Sequence, residues 1–379
     1  MERLVERNLC VFTDSDDLEL LYTFKNMPIY CGHAGTNSCA KQDIFLDMSV
    51  WISRRSGSIQ INPLVPLDIL YQKQHNDSPG ALWTEHHRKL SYFIEKYKPQ
   101  KVLEIGAGTG KLSKIYLSRN PECEWTTIEM NAELLKNRTD IKVIEGKYTV
   151  DKIPKDIDLV VHSHFLEHLY EPLKFLKELS QATPVDTLQI FSIPNHLHWL
   201  KNCYGNTIFF EHTYYLDDIF VERFLLCAGH SIIEKNEFQK HSVFYASKNN
   251  KQIKEYQWPT RYEENKKIYN NYIKYLTNNL ERVNKIISTT DKKVFLFGAH
   301  IFSQIMFVMG IPESRVEAIL DNSKAKVGNR LYGTSKLVKH PKVLEKTAKP
   351  LVILFAGSYT KEISEQILNI NKNTELVVL

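Results

Sequence analysis

Within "GNTIFFEHTYYL", residues 205–216, the pair Glu211 and His212 stands in a run of Phe and Tyr. Titratable groups among aromatics lose water, so they need a partner or a purpose. A neutral imidazole is suited to removing a proton near pH 7. A nearby carboxylate can fix its tautomer and hold the imidazolium that forms. The pair therefore reads as base and partner, with a satisfied core histidine as the bland alternative. Neighbours on a strand face opposite ways, so Glu211 could serve another group, such as His168 in "HSHFLEHL". For His168 a structural role on its helix stays open.

"VLEIGAGTG" carries a second chemistry: Glu104, then Gly106, Gly108 and Gly110 at alternate positions. A phosphate-binding P-loop needs four residues between its first glycine and Gly-Lys, but three separate Gly106 from Gly110. A dinucleotide fingerprint needs its third glycine where Lys111 stands. The alternate glycines suit S-adenosylmethionine, whose methionine part needs close backbone approach. An acid at the end of the next strand would accept the ribose hydroxyls, and Glu129 in "EWTTIEMN" sits there, followed by Met130. His164, just past a later strand, is a further contact for cofactor or substrate. The bland alternative is a tight turn closing a βα unit.

These residues need a scaffold. Strand-like "KVLEI", "EWTTIEM", "IDLVVHS" and "TLQIFSIPN" alternate with helical patterns, implying a doubly wound parallel sheet. "ALWTEHHRKLSYFIEKY" has apolar residues at helical spacing, which leaves His86 and His87 on its surface. A long amphipathic helix in 251–290 reads as a connector, and 291–379 starts a second α/β pattern. The expected class is α/β. The expected order is an N-terminal module (1–70), a Rossmann-like domain (71–250), the connector (251–290) and a second Rossmann-like domain (291–379).

At 379 residues, 43% apolar and 25% charged, the chain reads as globular with more than one core. The charge of +5 is scattered, so no nucleic-acid partner is expected. No apolar run of about 18 residues suggests a membrane span. Six cysteines without a C-x-x-C read as free thiols of a cytoplasmic protein.

The glycine turn, Glu129, "VVHSHFLEHLYEP" and "FSIPN" resemble class I methyltransferases. With the Glu-His motif after "IPN", the long helix, and a C-terminal unit holding "FGA" and "LDNSKAKVGNRLYGT", the chain looks like the sugar C-methyltransferases. That resemblance implies a nucleotide-linked sugar between the central and C-terminal domains, and a zinc-binding N-terminal module. It places substrate-site histidines at His168 and His212, with Glu211. The family's Asn before the first of these is His164 here, and its Tyr-His before the Glu-His is Phe209-Phe210. Tyr71, His75, Asn195 and Tyr215 fall where substrate would be held, while Lys324 and Lys326 could meet a pyrophosphate or lie in a solvated turn.

The family's zinc ligands align with Cys10, Thr13, Ser53 and Ser56. Only one is a thiol, so no metal is expected there. A substitute site from Cys10, Cys31, His33 and Cys39 has no standard spacing. The implied reaction is C-methylation next to a sugar ketone, for a surface polysaccharide or secondary-metabolite glycan. O-methylation of a sugar or related small molecule, or a non-catalytic cofactor-binding scaffold, are the alternatives.

Overall fold

The computed structural model describes residues 4–35, 38–71, 80–254, 257–258 and 260–379. The central sheet has seven strands. From one edge they run His230–Phe238, Ser242–Asn249, Leu188–Pro194, Leu159–Ser163, Lys101–Ile105, Glu124–Glu129 and Lys142–Glu145. The last five are parallel, and the first two pair antiparallel. Parallel strands are covered on both faces, which is why "LVVHS" is an almost unbroken apolar run. Leu103 and Ile105 enter the hydrophobic cluster on one face, and Val102 enters the cluster on the other.

Three antiparallel strands, Leu18–Pro28, Phe45–Ser53 and Ile59–Ile61, build the N-terminal module. The C-terminal unit is a parallel sheet in the order Val338–Lys339, Val316–Leu320, Lys293–Phe297, Pro350–Leu354 and Glu375–Val378. Helix Tyr262–Thr289 is more than the connector its periodicity suggests. Its buried Tyr269, Tyr272, Leu276, Val283 and Ile287 join Phe24 and Val50 of the module and Val294 and Leu296 of the C-terminal sheet in one core.

One expectation needs correction, and one metal arrangement of no standard spacing can be placed. His86 is not a surface residue of helix Ala81–Glu95, because Phe238 and Phe244 cover it and leave it 0% exposed. His87 is half-buried against Trp83, whose carbonyl oxygen lies 2.7 Å from its Nδ1. The proposed set Cys10, Cys31, His33 and Cys39 does not converge among the described residues. Cys10 Sγ instead lies 3.1 Å from Ser58 Oγ and 3.5 Å from Ser56 Oγ, and Cys31 Sγ lies 3.2 Å from His300 Nε2. Where the resemblance puts a metal, hydrogen bonds among Cys10, Ser53, Ser56 and Ser58 tie the two loops together.

Candidate active site

The carboxyl ends of the central strands open on a cavity of about 1120 Å³, which residues of the C-terminal unit also line. The glycine turn forms one wall. Gly106, Gly108 and Gly110 have φ of +73°, +55° and +69°, the left-handed region that glycine adopts without strain. A Cβ on Gly106 would stand 2.7 Å from the Phe165 ring, and one on Gly110 would stand 2.7 Å from Leu135. Glu129 bends over the turn. Its Oε2 accepts the Gly108 N–H at 2.8 Å, and its Oε1 accepts that of Asn131 at 3.0 Å. Gly106, Gly108, Glu129 and Met130 all face the cavity. This open backbone with a carboxylate at its rim fits a nucleoside carrying an amino-acid tail.

Two cofactor candidates lie elsewhere. Glu104 points to the other face of the sheet, as alternation along a strand requires, and takes the Trp125 Nε1 hydrogen at 2.9 Å. Burial pushes its carboxyl up to about 7. Gly110 caps helix Lys111–Leu117 behind the turn. His164 does reach the cavity, in a left-handed conformation with φ +48°, and its Nε2 lies 2.8 Å from Ser242 Oγ.

The second wall gathers Tyr71, His168, Glu211 and His212. The Tyr71 hydroxyl lies 3.0 Å from His168 Nδ1, and Glu211 Oε2 lies 4.0 Å from the same nitrogen. His212 is 5% exposed beneath Phe209, ring centroids 4.1 Å apart. Burial, then His196, drives its pKa well below the usual histidine value, so it stays neutral. Its Nδ1 has two contacts at 3.3 Å, the Thr207 carbonyl oxygen and His196 Nε2. With Nδ1 donating to Thr207, Nε2 keeps its lone pair and can take a proton. With Nδ1 accepting from His196, the proton sits on Nε2 instead. The Leu216 N–H donates to His196 Nδ1 at 3.1 Å, so a neutral His196 presents Nε2–H to His212.

The structure does not bring every candidate here. Asn195 caps helix His196–Lys201 by accepting the His198 N–H, outside the cavity. Tyr215 packs on Tyr269 with centroids 6.4 Å apart, also away from it. His75 lies outside the described residues. On the C-terminal side Lys326, Ser323 and His300 face the cavity, with Lys326 Nζ 3.3 Å from Asp321 Oδ2, whereas Lys324 does not.

Sequence reasoning passed over Glu167, His196, Trp83 and His241. For Glu167 a signal existed, because the dipeptide Glu-His occurs both at 167–168 and at 211–212. Among the described residues, Glu167, His168 and His212 bring donor atoms within 4.8 Å of one another.

A sheet with this strand order, and a glycine turn facing a carboxylate at the next strand's end, define a Rossmann-like methyltransferase domain of the S-adenosylmethionine-dependent kind. Residues 80–235 match the family model described as "Methyltransferase domain", and residues 241–379 match "C-methyltransferase C-terminal domain". Residues 80–235 are thus similar to methyltransferase domains and residues 241–379 to the C-terminal domain of C-methyltransferases. A curated relative, the malonyl-[acyl-carrier protein] O-methyltransferase of Neorickettsia risticii, is 30% identical over 111 residues, covering 28% of this chain and 44% of that protein.

Among solved structures, an S-adenosylmethionine-dependent methyltransferase from Mesorhizobium loti is 13% identical, covering 45% of this chain and 98% of that one, with a TM-score of 0.35. Human N-acetylserotonin methyltransferase, solved with its cofactor, is 14% identical over 44% of this chain and 52% of that one, with a TM-score of 0.37. No helix among the described residues is long and apolar enough to cross a membrane.

Proposed function

We propose that the protein transfers a methyl group from S-adenosylmethionine to a nucleotide-linked keto-sugar, at the carbon next to the ketone. The observation that carries this reading is the single cavity shared by the glycine turn, both Glu-His turns and the C-terminal sheet. Its volume of about 1120 Å³ exceeds the roughly 300–1,000 Å³ of a one-ligand pocket, leaving room for a nucleotide sugar beside the cofactor.

The cofactor supplies an electrophilic methyl carbon on its sulfonium. The residues of this chain do the remaining work. Glu129 and the glycine turn hold the nucleoside, and Phe209 and Trp83 keep water away. In the tautomer whose Nδ1–H donates to the Thr207 carbonyl oxygen, with the His196 Nε2–H turned aside, His212 takes the proton from the sugar carbon through Nε2, so that carbon's electron pair forms the new C–C bond while the methyl–sulfur bond breaks. The products are a branched sugar, S-adenosylhomocysteine and an imidazolium on His212. Lys326 and Ser323 would face the diphosphate. All six cysteines are free thiols, in keeping with a cytoplasmic setting.

Phe209 supports a second reading, O-methylation. It supplies no hydroxyl to steady an enolate, and a sugar alcohol needs only the base.

The test is incubation with methyl-labelled cofactor and a panel of nucleotide sugars, comparing wild type with His212→Ala. Transfer to a sugar that falls about 10²–10⁴-fold in the variant is expected. Unchanged transfer would remove His212 as the base. Cofactor binding without transfer to any sugar would leave a scaffold, and the product's carbon NMR separates C-methyl from O-methyl.

A further inference from the structure

A carboxyl group without a partner deep in a protein is costly, and so calls for an explanation. Glu167 is such a group. Its side chain is 0% exposed, and among the described residues neither carboxyl oxygen has a hydrogen-bond partner. It stands among imidazoles: Oε1 lies 3.5 Å from His164 Nδ1 and 3.8 Å from His168 Nε2, and a His212 nitrogen lies within 4.8 Å. The first two distances are a little long for hydrogen bonds, and closing them takes a shift of less than an ångström. The backbone keeps the group in place. The Glu167 carbonyl accepts the Thr213 N–H at 3.1 Å, and the Leu166 carbonyl accepts the Tyr214 hydroxyl, stitching the first Glu-His turn to the second.

The partners on the cavity side fix a direction. When the Tyr71 hydroxyl donates to His168 Nδ1, the neutral imidazole carries its proton on Nε2, the nitrogen nearest Glu167. The chain Tyr71, His168, Glu167 thus runs from the cavity wall to a buried carboxyl.

We propose that Glu167 is a positioning residue for methyl transfer: acting through His164 and His168, it sets their tautomers and provides the negative charge that balances the imidazolium formed when substrate is deprotonated. This rests on the reading of His212 as base. The proton moves from substrate to His212, no other bond changes at these residues, and Glu167 as carboxylate pairs with the new positive charge. The groups facing it are Tyr71, His164, His168, Glu211, His212 and Tyr214. Burial keeps His164 and His212 neutral and holds both tyrosines protonated. Burial also pushes the Glu167 carboxyl up to about 8, so its charge forms as pH rises from 7 to 9.

The test compares Glu167→Gln, which keeps the shape but cannot ionise, with Glu167→Asp. Turnover is followed from pH 6 to 9 on whichever nucleotide sugar the panel shows to be methylated, and S-adenosylmethionine affinity by calorimetry. The expected outcome is cofactor affinity within about twofold of wild type, kcat down about 10–100-fold as for other outer-shell partners, loss of the wild-type rise in kcat between pH 7 and 9, and partial rescue by Asp. Independently of any substrate, ¹⁵N-histidine NMR of the free protein should show the Nε2–H form of His168, with its Nε2 signal shifting as Glu167 ionises near pH 8 and that shift absent in Glu167→Gln. Wild-type kcat, pH profile and histidine spectrum in Glu167→Gln, with His212→Ala inactive, overturn the proposal. Wild-type transfer by His212→Ala sinks the base reading instead. Activity removed by a chelator and restored by zinc would make Glu167, His168 and His212 a metal centre and also overturn it.

Discussion

The glycine turn shows how much one residue can determine. At Gly106 both the left-handed φ and the Phe165 ring 2.7 Å from a would-be Cβ exclude a side chain. Gly106→Ala therefore has to move Phe165 and strain the backbone, at a cost of about 1–2 kcal/mol for the left-handed residue alone. Cofactor affinity should fall with stability. Glu129→Gln separates the two effects, since it leaves the turn its glycines and a side-chain oxygen to accept the Gly108 N–H, and removes the negative charge at the rim. Calorimetry with S-adenosylhomocysteine should show at least about tenfold weaker binding, with a thermal midpoint close to wild type. Equal affinity would move the ribose site away from Glu129. These positions were legible because glycine spacing writes backbone conformation directly into sequence. Glu104 was misplaced for the converse reason: the motif shows that an acid precedes the turn but not which face of the strand carries it.

At the scale of elements, the βα alternation of 101–194 could be read from composition, since parallel strands covered on both sides are continuous apolar runs. What covers a helix could not. Periodicity marks an apolar stripe on Tyr262–Thr289 but not that two separate sheets pack against it, and it says nothing of Phe244 closing over His86. Tyr215 was misjudged likewise. It stands three residues beyond His212, yet it faces Tyr269 of the long helix rather than the cavity. Both phenol hydroxyls are buried without a hydrogen-bond partner among the described residues, a penalty of roughly 1–3 kcal/mol each. Tyr215→Phe and Tyr269→Phe should each leave stability equal or higher in urea unfolding, and leave methyl transfer unchanged. Loss of activity in Tyr215→Phe would return that residue to the substrate site.

The whole molecule carries an unusual load of buried imidazoles. Burial lowers the pKa of His86, His162, His164, His196, His212, His230 and His241, to about 3 for His162 and His196 and about 4 for His230 and His241. Their folded values lie below the ordinary value of 6.5, so each contributes stability that is present above pH 6.5 and lost as pH falls, because the unfolded chain binds the proton first. Each such group costs about 1.4 kcal/mol per pH unit. Glu104 and Glu167 work the other way: their raised values make the folded state hold its protons more tightly, so stability is gained as pH falls from about 8 toward 4.5. The balance of about five groups still removes roughly 7 kcal/mol per unit below pH 6.5, of the same order as the roughly 5–15 kcal/mol that holds a domain folded. Acid unfolding should therefore be steep, complete within about one to two units below pH 6.5, and taken up with several protons at once. Circular dichroism against pH reads the midpoint, and its shift with urea concentration gives the proton number. Native dichroism persisting at pH 4 would mean that several of these rings are already charged in the folded protein.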